Sequence, residues 1–348
     1  MLALSRPDIP RDAGWTFEPK WDGFRAILEA GGPEGPRILS RDGRPLGRYF
    51  PELVALVAEL PAARFVADGE IVIVHPGRME FEELQLRLHP AASRVNKLAG
   101  EIPATLILFD LLEVDGERLL ERPLSERRMR LAELGSRLGI AEAADRLDDL
   151  PPSPALLLAP WTEHIATAER WFADEAGLGQ DGVVAKRPDQ PYLPGERGWV
   201  KVKHRRSADC VVGGYRVAKD GDGVGSLLLG LYDGDVLHYV GHTSSFRAAE
   251  RREIKRALAP LEGGMSFEEG RAPGGPSRWS GGRDTEWVPV KPVVVCEVSF
   301  DRLQGGRFRH AATFVRWRPD RDPRSCTFDQ LSPSRSPGPE ERNRAHGS

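Results

Sequence analysis

Lysine is scarce in this 348-residue chain, where 8 lysines stand against 41 arginines. One of the eight sits in Phe17-Glu18-Pro19-Lys20-Trp21-Asp22-Gly23-Phe24-Arg25, between two carboxylates and ahead of a glycine. Arginine stays charged at any physiological pH, whereas lysine loses its proton when nearby cations or burial lower its pKa. The neutral amine is a nucleophile, able to attack a phosphoryl or carbonyl centre and form a covalent intermediate. Three of the other lysines, Lys186, Lys201 and Lys203, fall in two late β-like segments, "DGVVAK" and "WVKVK". Strand alternation puts Lys201 and Lys203 on one face. These are the cations expected to converge on Lys20.

The elements that must position them follow from periodicity. "GWTFEPK" and "FRAILEAG" flank the lysine as strands, while "PELVALVAEL" and "SERRMRLAELGSRLG" carry apolar residues at helical spacing. The second helix is expected to be capped by its Ser-x-x-Arg opening. "ADGEIVIV" and "ATLILFDLLEVDGERL" are strand-rich, the latter with a Val-Asp-Gly-Glu hairpin turn. "TAERWFADEAGLG" reads as a helix that ends in glycines. From Ala208 the texture changes to short β runs, "CVVGGYRV", "GSLLLGLYDGDVLHYVG", "VVVCEVSF" and "FRHAATFVRW", with one basic helix, "FRAAERREIKRALAPL", among them. That pattern suits a small closed β-barrel of OB type, with a small sandwich as the alternative. The expected organisation is a domain over 1–206, a second over 207–331 containing a long Gly/Pro-rich loop, and a disordered tail over 332–348.

The bulk numbers bound the function. A net charge of -3 argues against a protein that holds polyanions by charge alone. Its distribution is uneven, at -9 over residues 1–200 and +5 over 201–331, so the second part is expected to make more contact with a phosphate backbone. The apolar runs are too short to span a bilayer, and the N-terminus lacks the basic start and apolar stretch of a signal peptide. Cys210, Cys296 and Cys326 share no metal spacing and read as reduced thiols of a cytoplasmic protein.

Lys20-Trp21-Asp22-Gly23-Phe24-Arg25 resembles the K-x-D-G-x-R signature of the covalent nucleotidyltransferases: ATP-dependent DNA ligases, RNA ligases and capping enzymes. "SRDG" (40–43), "DGE" (68–70), "FDLL" (109–112), "DGVVAK" (181–186) and "WVKVK" (199–203) follow in that superfamily's order. Across residues 15–325 the chain is most similar to bacterial ligase C and the ligase part of ligase D. The resemblance implies an α+β fold, with a nucleotidyltransferase domain of antiparallel sheets and helices followed by an OB-fold barrel. It implies an ATP-dependent ligase that seals nicks in duplex DNA, works with Mg2+ (or Mn2+), serves DNA repair and acts as a cytoplasmic monomer.

By the same resemblance Lys20 would take AMP from ATP, and Glu18 would accept a hydrogen bond from the adenine amino group. Asp22 and Gly23 would shape the turn, Gly23 for its permissive backbone. Arg25 and Arg41 would grip ribose or phosphate oxygens, and Phe109 would stack on adenine. Glu70 and Asp181 would hold the metal, and Lys186, Lys201 and Lys203 would surround the α-phosphate. Arg197 would serve the nick phosphate. In the second domain Arg318-Pro319-Asp320-Arg321 is similar to an R-x-D-K element that closes over ATP, with Arg321 in place of the lysine and Arg316 a further candidate. With 19 residues ahead of Lys20, no upstream nicotinamide-binding domain is expected. The alternatives are an RNA ligase or capping-type enzyme and, more remotely, a non-catalytic OB protein.

Overall fold

The structure is a computed structural model that describes residues 1–75, 78–144, 149–173, 182–203, 206–244, 246–264, 266–267, 286–301 and 303–331. Asp181, the glycines expected to end the "TAERWFADEAGLG" helix, the Gly/Pro-rich loop and the tail over 332–348 lie outside the described residues. The chain divides into two compact units, Met1–His204 and Arg205–Ser348.

The first unit begins with β1 (Leu2–Arg6), β2 (Thr16–Pro19), β3 (Phe24–Ala30) and β4 (Arg37–Ser40). Next come α1 (Pro51–Ala58), β5 (Phe65–Val72), β6 (Val74–His75), β7 (Arg78–Met79), α2 (Phe81–Leu86) and α3 (Ala92–Glu101). It continues through β8 (Thr105–Val114), β9 (Glu117–Arg118), α4 (Leu124–Leu138), β10 (Ala155–Leu158), α5 (Ile165–Ala173), β11 (Gly182–Lys186) and β12 (Arg197–Lys203). One sheet runs in the order β1-β12-β11-β2 and the other β10-β8-β5-β3-β4. All pairings within them are antiparallel except β1 on β12 and β10 on β8.

Alternation gives each strand two jobs. In β3, Ala26 and Leu28 enter a core shared with Leu53 of α1 and Leu131 of α4, while Arg25 faces the other way. In β8, Leu106 and Leu108 enter that same core, and Ile107 and Phe109 join a second cluster with Val183 and Val202. The hairpin turn after β8 takes the expected form, with Asp115 and Gly116 at φ of 50° and 88°. Two left-handed residues in succession match the twist of the strands they join.

The start of α4 departs from expectation. Ser125 is not a cap; the N-cap is Pro123, which makes no side-chain capping bond. The N–H groups of Leu124 and Ser125 donate instead to the carbonyls of Gln190 and Pro188, at 3.0 and 2.9 Å. A neighbouring loop thus satisfies donors that a polar side chain would otherwise serve.

The second unit contains β13 (Arg206–Val217), β14 (Val224–Asp233), β15 (Val236–Thr243), α6 (Ala248–Leu258), β16 (Val288–Phe300), β17 (Leu303–Gln304), β18 (Arg307–Phe308) and β19 (Thr313–Trp317). Five strands follow the order β15-β14-β13-β16-β19. A parallel bridge between Thr243 and Ala312, with Ala312 N–H donating to the His242 carbonyl at 2.9 Å, joins β15, the first strand of that order, to the residue just before β19, the last. This is a closed OB-type barrel, which removes open edges, and α6 contributes Ile254 and Leu258 to its core. The three cysteines are free and buried there, none at the surface.

Candidate active site

Between the two sheets of the first unit lies a cavity of about 430 Å³. Glu18 and Lys20 reach its wall from the β2 segment, Arg25 from β3 and Arg41 from the turn after β4. Glu70 of β5 and Phe109 of β8 form another part, and Lys186 of β11 with Arg197 and Lys201 of β12 the rest. Nine residues singled out in the sequence therefore share one wall. Asp22 is buried but is not in it, and Lys203 continues the Lys201 face without lining the cavity. A larger cavity of about 990 Å³ in the second unit contains none of the singled-out residues.

Local geometry explains the Lys20 turn. The backbone N–H of Lys20 donates to the Gly182 carbonyl at 2.9 Å, fixing the lysine against β11. Gly182 has a φ of 130°, and a Cβ there would lie 1.9 Å from the Val202 carbonyl oxygen. Gly23 is needed for a different reason from the one expected. Its φ is not in the left-handed region; a Cβ would stand 2.0 Å from the Ile71 carbonyl oxygen. Close backbone approach, rather than a permissive turn, demands glycine there. The approach also lets Gly23 N–H donate to Glu70 Oε1 at 3.1 Å.

Several side chains have partners the sequence did not suggest. Lys186, expected beside the α-phosphate, donates from Nζ to Glu18 Oε2 at 2.6 Å and is 1% exposed. Its Nζ also lies 4.6 and 4.4 Å from the ring centroids of Phe109 and Trp199. Burial lowers its pKa, while the attraction of Glu18 and Asp110 opposes that shift. Arg25 lines the cavity, but Nε and Nη2 donate to Asp68 at 3.0 and 2.6 Å. Nη2 also reaches the Tyr192 hydroxyl at 3.2 Å, and Nη1 donates to the Met1 carbonyl. These bonds engage the fork expected to grip ribose or phosphate, with Asp68 as its main partner in this structure. Arg41 is exposed, with a 3.3 Å contact to Asp42, and faces the cavity.

Phe109 owes its aim to a bulge. Asp68 of β5 pairs with Asp110 and Gly69 with Leu108, so Phe109 is an extra residue in β8. Bulges of this kind re-aim side chains beside functional sites. The ring meets Trp199 edge-on, with centroids 5.8 Å apart and planes at 85°. Trp199, Tyr192 and Arg128 also shape the site without having been assigned a role there. For Arg128 a signal existed: Arg127 and Arg128 fall at the apolar-stripe positions between Leu124 and Leu131, and both are buried.

Burial pushes Glu70 up to about 7, against the opposing pull of Lys20 and Arg25. Its carboxylate supplies oxygen ligands of the kind a hard divalent cation takes. Among the described residues no cluster of three His, Cys, Asp or Glu side chains forms a metal cage.

The residues of the expected R-x-D-K element form a network inside the second unit. Arg318 donates to Asp209 at 2.9 Å and to Asp320 at 2.9 Å, Arg321 lies 3.3 Å from Asp209, and Arg316 donates to Glu297 at 2.7 Å. The Arg316 bond holds Glu297 below the usual carboxylate range, and the Arg318 bond does the same for Asp320.

Known proteins share this architecture. Residues 8–203 match the family model described as "ATP dependent DNA ligase domain", and residues 220–321 that of the "ATP dependent DNA ligase C terminal region". DNA ligase C of Mycobacterium tuberculosis is 48% identical over 347 residues, covering 95% of this chain and 92% of that protein. DNA ligase C1 of Mycolicibacterium smegmatis is 45% identical over 342 residues, with coverages of 95% and 92%. The multifunctional non-homologous end joining DNA repair protein LigD of M. tuberculosis is 30% identical over 319 residues, covering 89% of this chain but 37% of that protein. A solved structure from a study of Lig E DNA ligases shares the fold, with a TM-score of 0.56, 18% identity and coverages of 91% and 98%. The family models cover most of the chain and fall on the unit with the Lys20 cavity and the unit with the closed barrel: the chain belongs to the ATP-dependent DNA ligase family.

Proposed function

We propose that this protein seals nicks in duplex DNA with ATP, through an AMP carried on Lys20. The observation that supports it most is the single cavity into which Lys20, Glu18, Glu70, Phe109, Lys186 and Lys201 converge from separate strands. In the first step Lys20 Nζ attacks the α-phosphorus of ATP, a phosphoramidate bond forms and pyrophosphate leaves. The AMP then passes to the 5′-phosphate at the nick, freeing Lys20. Last, the 3′-hydroxyl attacks that phosphate, the phosphodiester forms and AMP departs. Each step is phosphoryl transfer, in which positioning and charge stabilisation supply most of the catalysis.

The base end of the cavity suits adenine. The Glu18 carboxylate accepts and the Lys186 ammonium donates, which complements the amino donor and ring-nitrogen acceptor on adenine's pairing edge. Guanine presents the reverse order there and would set acceptor against acceptor. Phe109 and Trp199 offer apolar surface for the ring. Lys201 and Arg41 supply charge at the open side, where phosphates belong. Glu70 would hold a divalent cation, Mg2+ or Mn2+, which supplies neutralisation of the triphosphate. The barrel unit, with Arg316, Arg318, Asp320 and Arg321, is assigned to DNA contact and to the pyrophosphate leaving group, and Arg197 to the nick phosphate.

The test is covalent labelling. Incubation with Mg2+ and α-labelled ATP should label the denatured protein, Lys20→Ala should abolish the label, and nicked duplex DNA should discharge it. Label from GTP alone would point to a capping-type enzyme, and discharge by nicked RNA alone to an RNA ligase. No label from either nucleotide, in folded protein free of bound AMP, would leave a non-catalytic OB protein.

A further inference from the structure

The base-selecting wall is braced by a residue that does not line the cavity. Arg128 on α4 is 6% exposed and extends toward β8. Its Nη1 donates to the Phe109 carbonyl at 3.1 Å and its Nη2 to the Ala159 carbonyl, just past β10, at 2.7 Å. Nη1 also lies 3.9 Å from Glu18 Oε1. Its guanidinium carbon stands 5.7 Å from the Trp161 ring centroid, and Nε has no hydrogen-bond partner.

Two features make this more than a structural ion pair. The first is that Phe109 is the bulge residue of β8, so its carbonyl lies where the regular ladder is broken. Arg128 satisfies that carbonyl and thereby fixes the backbone that aims the Phe109 ring. The second is that Glu18 is held from both ends, by Lys186 at Oε2 and by Arg128 beside Oε1. The planar guanidinium spans both carbonyls and still presents charge to the carboxylate, an arrangement a lysine cannot copy. Its neighbour Arg127 has a different task. It pairs with Asp110 at 2.7 Å and donates to two loop carbonyls, which ties α4 to the sheet.

We infer that Arg128 is a positioning residue that sets which nucleobase the cavity accepts, acting through Phe109 and Glu18 without touching the nucleotide. The inference rests on the ligase reading above. Its test compares Arg128→Met and Arg128→Lys with the wild-type full chain. Adenylylation is followed against ATP and GTP concentration, sealing is followed on a pre-adenylated nicked duplex at saturation, and Tm is recorded.

In Arg128→Met the KM for ATP should rise about tenfold and the preference for ATP over GTP should fall by a similar factor, while sealing of the pre-adenylated nick stays within about twofold of wild type. Arg128→Lys should fall between the two. An unchanged KM and preference in both variants overturns the inference. So does an equal loss in both assays with a lowered Tm, or failure of both variants to fold, since either assigns Arg128 to the fold alone. If only Arg128→Met fails to fold, Arg128→Lys decides by the same criteria. A wild-type chain that takes no label from either nucleotide fails the ligase reading itself, and this inference with it. That result is distinct from a labelled wild type whose variants keep their selectivity.

Discussion

Lys186 Nζ and Glu18 Oε2 meet at 2.6 Å across 168 residues of chain, on neighbouring strands whose side chains face the cavity. Both are almost wholly buried, so each charge depends on the other for compensation. Glu18→Ala or Lys186→Met should each destabilise the first unit by about 3 kcal/mol, because each leaves a buried charge without its main partner. The double variant should recover at least about 1 kcal/mol of the summed loss. Urea unfolding of the four proteins checks this; strict additivity would mean that the pair does not couple. Adenylylation should be lost in all three variants.

Glu70 makes the stability of the nucleotide-free protein depend on pH. Its pKa is about 7 in the fold, above the ordinary glutamate value of 4.5, so between those values the folded state holds a proton that the unfolded chain has released. Stability therefore falls as pH rises from about 4.5 to about 7, and levels off above. The span is on the order of 3 kcal/mol. Glu70→Gln should remove this decline and raise Tm at pH 8, while leaving Tm at pH 4.5 close to wild type. The same variant should lose adenylylation, and Mg2+ should stabilise it less than wild type. A wild-type Tm that rises across this window would contradict the assignment.

Three glycines separate steric need from flexibility. Gly23→Ala and Gly182→Ala would each place a Cβ within about 2 Å of a carbonyl oxygen, 2.0 and 1.9 Å by ideal geometry. Backbone atoms cannot give way as a flexible side chain would, and Gly23 also anchors Glu70. Each change should cost about 3 kcal/mol or prevent folding. Gly100, in α3, has open space around its Cβ position. Gly100→Ala should stabilise by about 0.5–1 kcal/mol, the gain expected where alanine replaces an unstrained helical glycine. Thermal melts of the three variants give opposite signs.

The part of the site that could be read from the sequence is the part carried by strand alternation and short motifs. Glu70 and Lys201 face one cavity because period-2 strands place them there, and the β8–β9 hairpin was legible in Asp115-Gly116. What escaped was whatever depends on a partner distant in sequence. The strand Leu2–Arg6 pairs in parallel with β12, almost 200 residues away, and no local pattern announces such a pairing. Lys186 could be placed in the site but not at Glu18, because the motif gives a strand face and not a contact. Arg127 and Arg128 look like solvated charges by composition; only their register with Leu124 and Leu131 shows them on the buried face. The need for glycine at 23 comes from Ile71, a residue of another strand.

Arg25 provides the sharpest test of contact against motif. Asp68 is fully buried, and its carboxylate accepts from Arg25 Nε and Nη2 and from the Tyr192 hydroxyl at 2.8 Å. If this is its main role, Arg25→Met should act through the fold, leaving Asp68 as a buried carboxylate with the Tyr192 bond alone. That should cost about 3 kcal/mol or more in urea unfolding. Tyr192→Phe removes one neutral donor and should cost about 1 kcal/mol, with little change in the KM for ATP. Pairing Arg25→Met with Asp68→Asn should restore part of the lost stability, since the uncompensated charge is gone. Nucleotide binding by that double variant then decides the matter. ATP affinity within about threefold of wild type makes Arg25 a brace for Asp68, whereas a loss of tenfold or more with stability restored returns it to direct contact with ribose or phosphate.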